Sequence, residues 1–338
     1  MEVQNRTILY TGVRQAELGE GRVDDRALGP HEIFARSIVT LVSNGSERGG
    51  MGGYPGGEAL RGSFRPTTTG YAAVLEAIST GAEVTAVRPG ERFFAEAPHQ
   101  AYSRLDDDSA VRLPEGIEPE RAVFCRFPAV SMSSILQSAV RPTEPVLVTG
   151  LGIVGLFCAQ VLQLFGYETA AVDPSPARRE TAAGCGVRSL FADAGELAAR
   201  KGQFGAVMEC SGMEAAAFSG LRLLRPGGEL WQIGVPWYRS TEQSAHELLR
   251  ELFYGFVTLR SGWEWSLPRH SAEFQPNSHQ RSIEKSLEWL ADGRLRTEGC
   301  CTLFDPAGCG EVYRQIAEKT LPTTAAMFDW RAAESCGD

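Results

Sequence analysis

The clearest pattern of apolar and polar positions lies in residues 145–173, PVLVTGLGIVGLFCAQVLQLFGYETAAVD. A short apolar run is followed by three glycines, and apolar residues then recur at helical spacing as far as Phe165. A second apolar run, residues 169–172, ends on Asp173. A continuous apolar run that gives way to helical spacing and then returns predicts a strand, a helix and a second strand.

The alternation of strands and helices continues beyond Asp173. Further strands are predicted near 190–191, 206–210, 229–233 and 258–261, and helices near 176–183, 213–224 and 244–253. Six strands with helices between them are the number found in a full doubly wound parallel sheet. We therefore predict an α/β fold whose Rossmann unit spans residues 123–265.

Residues 1–122 and 266–338 are predicted to form a second, β-rich and barrel-like unit. Its strands are expected near 7–10, 32–43, 70–77, 92–95, 99–103 and 111–116, and, at the end of the chain, near 302–304 and 325–328. Helices are expected near 282–290 and 310–318, and a helical segment at 119–139 is expected to break at Pro128. Residues 44–66 carry eight glycines and are predicted to be a loop, either functional or a surface excursion.

The three glycines, Gly150, Gly152 and Gly155, have G-x-G-x-x-G spacing. The first permits a tight turn, the second leaves the backbone open to a pyrophosphate, and the third lets the helix pack against the strand. Asp173 lies 18 residues beyond Gly155, where a carboxylate can bond the adenosine ribose. The alternative, glycines that serve packing alone, is disfavoured because strand, glycines, helix and acid all agree.

These residues predict NAD as the cofactor, because the charge of Asp173 would repel the 2′-phosphate of NADP. Arg178 and Arg179 are the alternative partners for such a phosphate, or else they cover the adenine or lie in solvent. The candidate cofactor-binding residues are Gly150, Gly152, Ile153, Val154, Gly155, Asp173, Arg178, Cys210, Ser211, Ile233 and Gly234.

Composition narrows the class of protein. The chain has 338 residues, 43% apolar and 22% charged, and a formal net charge of −9. This balance argues against a nucleic-acid partner, and no apolar stretch or secretion signal stands out, so a cytoplasmic protein without a membrane partner is expected. The eight cysteines form no C-x-x-C pair and are expected to be reduced.

Taken together, the chain resembles the medium-chain dehydrogenase/reductase superfamily, the alcohol and polyol dehydrogenase group, over nearly its whole length. The stretches that carry the resemblance are Gly70-Tyr71, Arg88-Pro89-Gly90-Glu91-Arg92, Leu113-Pro114-Glu115-Gly116, Gly150 to Gly155, Arg225-Pro226-Gly227-Gly228 and Ile233-Gly234. The resemblance implies a GroES-like catalytic domain, a Rossmann domain, an active-site cleft between them, and a homodimer formed through the strand near Thr258–Ser261.

The zinc ligands of that family do not carry over. Asn44, in Asn44-Gly45-Ser46-Glu47, stands where zinc-dependent members have a cysteine, and Tyr71 stands where they have a histidine. The third ligand position falls near Phe127, and no cysteine lies in the lobe that would hold a structural zinc. The chain therefore resembles the zinc-free branch that includes bacteriochlorophyllide dehydrogenase-like proteins, and no metal is expected.

Without zinc, another group must polarise the substrate oxygen and move its proton. The catalytic candidates are Tyr71, Ser46, Glu47 and His99. Tyr71 either points into the cleft or fills the vacated space, Glu47 either acts as a base or pairs with Arg48, and His99 is either catalytic or a satisfied barrel histidine. Trp263-Glu264-Trp265 is predicted to line a substrate pocket, to pack in the core or to form a dimer interface. Three further histidines, His246, His270 and His279, are expected at the surface.

The sequence thus predicts a zinc-independent, NAD-dependent oxidoreductase that interconverts a secondary alcohol and its ketone. A polyol, sugar or cyclitol substrate follows from the resemblance. Two alternatives remain at this point: a quinone or enoyl reductase that prefers NADPH, and a catalytically silent NAD-binding protein.

Overall fold

The structure is a computed structural model and describes residues 2–51, 67–237 and 239–331. The chain divides into two compact units, one of residues 1–124 and 301–338 and the other of residues 125–300. The sequence predicts that residues 266–300 belong to the first unit, whereas the structure places them in the second. The reason is that the buried face of the helix His279–Ala291 packs against the helix Arg126–Ile135.

The first unit is built on antiparallel strands. Strands β1 (Glu2–Gly12) and β2 (Gln15–Asp24) form a long hairpin, and residues 67–68 form β4 (Thr67–Thr68), which pairs with the other edge of β1. The sequence predicts only a strand at residues 7–10 here and misses β2, because β2 is largely exposed and lacks the apolar alternation that marks a half-buried strand.

A second, seven-stranded sheet forms the rest of this unit. It runs in the order β15 (Cys301–Phe304), β16 (Ala325–Asp329), β3 (Glu32–Leu41), β5 (Ala73–Thr80), β6 (Arg92–Ala95) and β8 (Val111–Arg112), while β7 (Tyr102–Asp106) also pairs with β3. The unit also contains the helices α1 (Asn44–Gly50), α2 (Pro119–Ala122) and α9 (Cys309–Glu318). Ile8, Tyr10, Val42, Tyr313 and Phe328 belong to one buried core, which joins the two ends of the chain.

Helix α1 corrects the prediction of a loop over residues 44–66. The side chain of Glu47 is buried, and its Oε1 accepts a hydrogen bond from the backbone N–H of Ser43 at 2.8 Å. This bond satisfies a donor at the start of the helix, which offsets the low helix propensity of the three glycines within it. Residues 52–66 lie outside the described residues.

The second unit contains a six-stranded parallel sheet. Its strands are β9 (Val146–Thr149), β10 (Thr169–Val172), β11 (Ser189–Phe191), β12 (Phe204–Glu209), β13 (Leu224–Gln232) and β14 (Thr258–Ser261). Their order is β11-β10-β9-β12-β13-β14, which confirms the predicted doubly wound fold. Leu147, Phe204, Val207 and Leu230 lie in the core beneath the sheet.

The helices of this unit are α3 (Arg126–Ile135), α4 (Ile153–Leu164), α5 (Pro176–Gly184), α6 (Glu214–Leu221), α7 (Ala245–Gly255) and α8 (His279–Ala291), of which α3 precedes β9 and α8 follows β14. The predicted break at Pro128 is wrong, because α3 starts at Arg126 and Pro128 lies in its first turn, where no N–H is needed. Residues 226–228 lie within β13, which runs through them with a shift in register. Among the described residues, none of the helices is both long and apolar enough to cross a bilayer.

Candidate functional site

The three glycines after β9 occupy three different environments. Gly150 has a φ of 85°, and a Cβ placed there would lie 2.6 Å from the Cβ of Ser211. A Cβ at Gly155 would lie 1.8 Å from the carbonyl oxygen of Gly150, so helix α4 touches the loop directly. A Cβ at Gly152 would meet nothing within 4 Å. The first and third glycines are therefore required by packing, while the second faces open space.

The side chain of Asp173 is hydrogen bonded to this loop. It is 1% exposed, its Oδ2 accepts a hydrogen bond from the N–H of Leu151 at 2.7 Å, and its Oδ1 accepts one from the N–H of Ser175 at 2.9 Å. The Nη1 atom of Arg178 lies 3.4 Å from Oδ2. The carboxylate of Asp173, which is predicted to bind ribose, is thus fixed to the backbone of the glycine loop. The guanidinium of Arg178 lies beside this carboxylate.

A carboxylate that the sequence analysis missed lies at the end of β12. Glu209 is fully buried and accepts hydrogen bonds from the N–H of Ser211 at 2.8 Å and that of Gly212 at 3.0 Å. The Nε2 of Gln232 donates to it at 2.6 Å. Burial raises the pKa of Glu209 above its usual range, although these hydrogen bonds oppose that shift. The signal was present in the sequence, as an acidic residue that ends an otherwise apolar buried strand.

The turns after β12 and β13 meet beside the glycine loop. A Cβ at Gly234 would lie 2.3 Å from the backbone nitrogen of Gly212, so side chains are excluded from their contact. Ser211 is exposed, and Val154, Cys210 and Ile233 are half-buried. The neighbouring Cys158 thiol and burial raise the pKa of Cys210 well above its usual range, so this thiol stays protonated.

The predicted cofactor-binding residues thus come together at the carboxyl edge of the parallel sheet. Their loops follow β9 and β12, the neighbouring strands at which the strand order reverses. In open α/β sheets this switch point is where ligands bind. Helix α4 begins there at Ile153, with Gly152 as its N-cap, and its first N–H groups supply a site for an anion.

In the first unit, Tyr71 and Ser46 lie in a small cluster of hydroxyl groups. The Tyr71 hydroxyl lies 2.5 Å from the Oγ of Ser43 and 3.1 Å from the Oγ of Ser46. Ser43 is buried, Tyr71 is half-buried and Ser46 is exposed. The cluster therefore connects the interior of this unit to its surface through three exchangeable protons.

Glu47 and His99 lie deeper than the hydroxyl cluster. Glu47 is 4% exposed and His99 is fully buried, with His99 Nε2 at 3.2 Å from Glu47 Oε2. The same carboxylate accepts from the Tyr313 hydroxyl, and Thr69 Oγ1 lies 2.7 Å from Oε2 and 2.6 Å from the Tyr10 hydroxyl. We call these five residues, Tyr10, Glu47, Thr69, His99 and Tyr313, the buried Glu47 network.

The carboxylate charge of Glu47 governs the titration of this network. Burial alone would raise the pKa of Glu47, but the charge of His99 and hydrogen bonds from His99, Tyr313 and Thr69 outweigh it and lower the pKa below its usual range. Burial and the negative charge of Glu47 both raise the pKa of Tyr10 and of Tyr313. The network therefore contains an ionised carboxylate surrounded by protonated phenols.

Gly70 explains how Tyr71 and His99 are positioned. Its φ is 95°, and a Cβ there would lie 2.6 Å from the Cδ2 of His99. Only glycine can make this close approach in the left-handed region of φ. His99 Nδ1 has no hydrogen-bond partner among the described residues.

Side chains at two of the positions where the resemblance places zinc ligands are hydrogen bonded within the first unit. Asn44 donates its amide to the carbonyl of Thr324 at 2.8 Å, and Tyr71 is hydrogen bonded to serines. Phe127 offers no donor atom at the third position. A tetrahedral zinc needs thiolate, imidazole or carboxylate ligands, and no group of three such residues occurs in the described part of the chain.

The Trp263-Glu264-Trp265 segment is held to the second unit through Glu264, while Trp263 is 62% exposed and Trp265 is 41% exposed, so neither ring lies in the core. Glu264 forms a two-point ion pair with the guanidinium of Arg126, at 2.6 Å for one contact. The ring of Trp265 lies 4.7 Å from that of His279. His279 is only 3% exposed, so its predicted surface position is wrong: it packs beneath Trp265. Of the other two histidines with predicted surface positions, both His246 and His270 are exposed.

Known proteins resemble this chain in sequence and in fold. Residues 154–264 match a family described as zinc-binding dehydrogenase. D-xylulose reductase A from Aspergillus oryzae is 30% identical over 146 residues, 40% of this chain and 41% of that protein. Probable D-xylulose reductase A from Aspergillus fumigatus is 23% identical over 279 residues, 69% of this chain and 76% of that protein. The chain thus matches less than half of the first relative and about three quarters of the second.

Among solved structures, L-idonate 5-dehydrogenase from Escherichia coli shares the fold. The TM-score is 0.76 at 14% sequence identity, and the match covers 97% of this chain and 99% of that chain. At this identity the likeness concerns the fold alone.

Proposed function

We propose that the chain is a medium-chain dehydrogenase/reductase and that it acts as a nicotinamide-dependent oxidoreductase that interconverts a secondary alcohol and its ketone. The observation that carries this proposal is the glycine loop after β9, in which two glycines are fixed by packing and Gly152 faces open space. A bound nicotinamide would supply or accept the hydride. The protein's own residues bind the cofactor, orient the substrate and move its proton.

The cofactor proposed is NAD. The N-terminus of α4 and the open backbone at Gly152 fit a pyrophosphate, and Asp173 lies at the end of β10, where the ribose hydroxyls are bound in this fold. The carboxylate of Asp173 would repel a 2′-phosphate. The guanidinium of Arg178, 3.4 Å from that carboxylate, lowers this repulsion, so the preference for NAD is expected to be moderate.

Binding of the nucleotide can be tested with a matched pair of glycine substitutions. Gly152→Ala adds a methyl group in open space, so the variant is expected to fold normally and to bind NADH at least about tenfold more weakly, or about 1.4 kcal/mol. Gly184→Ala, at the end of α5, also adds a methyl group in open space and is the control. Calorimetry with NADH and with NADPH measures both affinities. Equal NADH affinity of the two variants would contradict the proposed site.

For the proton transfer we propose Tyr71, with Ser46 and Ser43 as its hydrogen-bonded relay. The Tyr71 hydroxyl has two hydroxyl partners and lies outside the buried Glu47 network. Glu47 and His99 are proposed to act through position, because their burial keeps them from touching a substrate. Glu47 fixes the start of α1 through the N–H of Ser43, and Ser43 in turn bonds Tyr71.

Tyr71→Phe removes the proposed proton donor while keeping the ring. We expect kcat to fall by about 10² to 10⁴, the usual range for loss of a general acid or base, with little change in NADH affinity. Tyr167→Phe is the control, since Tyr167 donates its hydroxyl to the carbonyl of Val140 at 2.9 Å in the other unit. Similar kcat values for Tyr71→Phe and Tyr167→Phe would assign Tyr71 to packing alone.

We further propose that the reaction proceeds without zinc. The family match covers residues 154–264 and so does not include Asn44 or Tyr71, the residues at two of the ligand positions. A neutral amide and a protonated phenol are poor ligands for zinc, which favours thiolate and imidazole. Elemental analysis of chelator-treated protein that retains full turnover would support this, whereas stoichiometric zinc that is required for turnover would contradict it.

For the substrate we propose a polyol, sugar or cyclitol. The two D-xylulose reductases named above support this class, and so does the hydroxyl cluster, which can bond a polyhydroxylated ligand. A turnover assay with NAD and a panel of polyols, and with NADH and the matching ketoses, tests it. Turnover confined to quinones or enoyl compounds with NADPH would favour a reductase of that class instead.

We also propose a homodimer formed along β14. This strand is at the edge of the parallel sheet and all four of its residues are exposed. Leu259, within the strand, is 46% exposed, and Phe256, just before it, is 78% exposed. An edge strand with exposed apolar side chains favours pairing with a second strand.

A further inference from the structure

Two cysteines that are 115 positions apart in the sequence touch each other in the second unit. The Sγ atoms of Cys185 and Cys300 are 3.7 Å apart. Cys185 follows helix α5 and is 3% exposed, while Cys300 is fully buried and is the last residue of the unit. A disulfide has an S–S distance of about 2.0 Å, so the two thiols are in contact and a bond between them needs a shift of less than about 2 Å.

Cys185 also lines a cavity that opens to the surface. The cavity has a volume of about 410 Å³. Its wall contains Gln160, Gln163, Arg188, Arg294 and Arg296, together with Cys185. This volume lies within the range of about 300 to 1,000 Å³ that small-molecule pockets have. A small reagent that enters it meets Cys185 first, because Cys300 lies behind the wall.

The charge of this cavity favours an anion. Arg294 is paired with Asp292. The guanidinium groups of Arg188 and Arg296 have no carboxylate within 4.0 Å in the described part of the chain, so their charges are available to a ligand. Arginine binds carboxylates through two parallel hydrogen bonds, which favours a ligand that carries such groups.

The surroundings of Cys185 favour its thiolate form. A hydrogen bond with Cys300 lowers the pKa of Cys185, and the positive charge of Arg296 acts in the same direction, while burial and the charge of Glu298 oppose them. The thiolate, not the thiol, attacks a disulfide. Cys300 is then placed to attack the sulfur of Cys185 in a second step.

We propose that Cys185 and Cys300 form a reversible disulfide by exchange with a small organic disulfide that carries carboxylates, bound in this cavity by Arg188 and Arg296. In the first step the Cys185 thiolate attacks one sulfur of the reagent. The S–S bond of the reagent breaks and one small thiolate leaves.

In the second step the sulfur of Cys300 attacks Sγ of Cys185, and the proton of Cys300 passes to the departing sulfur of the reagent. The mixed disulfide breaks and the second small thiolate leaves. Two protein thiols are oxidised and one reagent disulfide is reduced to two thiols, so electrons balance.

The order of the two steps gives the test. The reduced protein is treated with oxidised glutathione, quenched with acid and mapped by mass spectrometry of peptides without reduction. Wild type is expected to show the Cys185–Cys300 link. Cys300→Ser is expected to accumulate a mixed disulfide on Cys185, whereas Cys185→Ser is expected to form neither product. Cys301→Ser is the matched control and should form the link as wild type does.

The charge of the reagent gives a second, independent measurement on the wild-type protein. Cystamine is a disulfide with amines in place of carboxylates and is expected to react at least about tenfold more slowly than oxidised glutathione, a modest electrostatic effect. The double variant Arg188→Gln/Arg296→Gln should lose this difference.

Three results would overturn the proposal. They are the absence of the Cys185–Cys300 link in wild type, a mixed disulfide at another cysteine in Cys300→Ser, and a faster reaction with cystamine than with oxidised glutathione.

Discussion

Replacing Glu47 by glutamine removes the charge at the centre of the buried Glu47 network while preserving the shape of the side chain. In the wild-type protein the two carboxylate oxygens accept from the N–H of Ser43 at 2.8 Å and from the hydroxyl of Tyr313, and they face His99 at 3.2 Å. Glutamine has one acceptor oxygen and one NH₂ group. Whichever way the amide is turned, its NH₂ faces at least one of these donors.

The cost of this substitution can be estimated from its parts. Each buried donor left without an acceptor costs about 1 to 3 kcal/mol. Removing one partner of a buried ion pair costs about 3 to 5 kcal/mol in total. We therefore expect Glu47→Gln to lower the free energy of unfolding of the first unit by about 3 to 5 kcal/mol, a large part of the about 5 to 15 kcal/mol that holds a domain folded.

The chain contains a matched control for this variant. Glu83 also pairs with a histidine, His31, at 3.0 Å, but both side chains are more than half exposed. Exposed pairs contribute about 0 to 1 kcal/mol, so Glu83→Gln should be close to wild type. The free energy of unfolding of both variants can be measured by urea unfolding followed by hydrogen exchange. Exchange is read from peptides of the first unit, so its unfolding is measured apart from that of the second unit.

The pH dependence of the difference gives a further check. The pKa of Glu47 is lowered in the folded protein, so its contribution is fully present above the ordinary glutamate pKa of about 4.3 and is lost as the pH falls through the folded value. The gap in stability between wild type and Glu47→Gln should therefore narrow below about pH 4. Glu47→Gln and Glu83→Gln that unfold at the same urea concentration at pH 7 would refute this account of the network.

Three other changes have defined expectations. Burial raises the pKa of Glu209, so the stability of the second unit should fall as the pH rises above about 4.3, and Glu209→Gln should remove this slope in urea titrations at several pH values; a slope that persists in the variant would assign it to another group. Leu259→Glu places like charges on the exposed edge of β14, and light scattering should show a shift from dimer to monomer, whereas an unchanged mass would place the interface elsewhere. Ser244 caps α7 in a capping box with Glu247, so Ser244→Ala should destabilise this helix by about 1 kcal/mol in hydrogen exchange, and full protection in the variant would contradict that role.

The Rossmann unit was largely predictable because its signals are local. The apolar runs, the glycine spacing and the acid at position 173 all lie within one βαβ unit, and the structure places them at the predicted edge of the sheet. Glu209 was missed although it is the last residue of β12. The cofactor contacts were predicted instead for Cys210 and Ser211, in the turn after the strand. Its hydrogen bonds to the N–H groups of Ser211 and Gly212 show that the turn depends on the residue before it.

The candidate catalytic unit was less predictable because its contacts are not local. Tyr313 is hydrogen bonded to Glu47, although the two residues are 266 positions apart in the sequence. No sequence pattern around either residue predicts this contact. The glycines of residues 44–50 indicated a loop, whereas the buried carboxylate of Glu47 holds them in a helix. The contact of Cys185 with Cys300 was equally hidden, since a spacing of 115 residues matches no motif.

The buried Glu47 network has a consequence for synthesis of the chain on the ribosome. Four of its residues lie within the first 99 positions, while the fifth is Tyr313, beyond the whole of the inserted unit. Strand β16, which pairs with β3, is made later still. We expect the first 124 residues to emerge with a carboxylate that lacks the hydroxyl of Tyr313 and with an open sheet edge, and to complete their fold only when residues 301–329 have left the exit tunnel. A nascent chain that has emerged as far as residue 300 should therefore contain a protease-resistant second unit beside a protease-sensitive N-terminal segment.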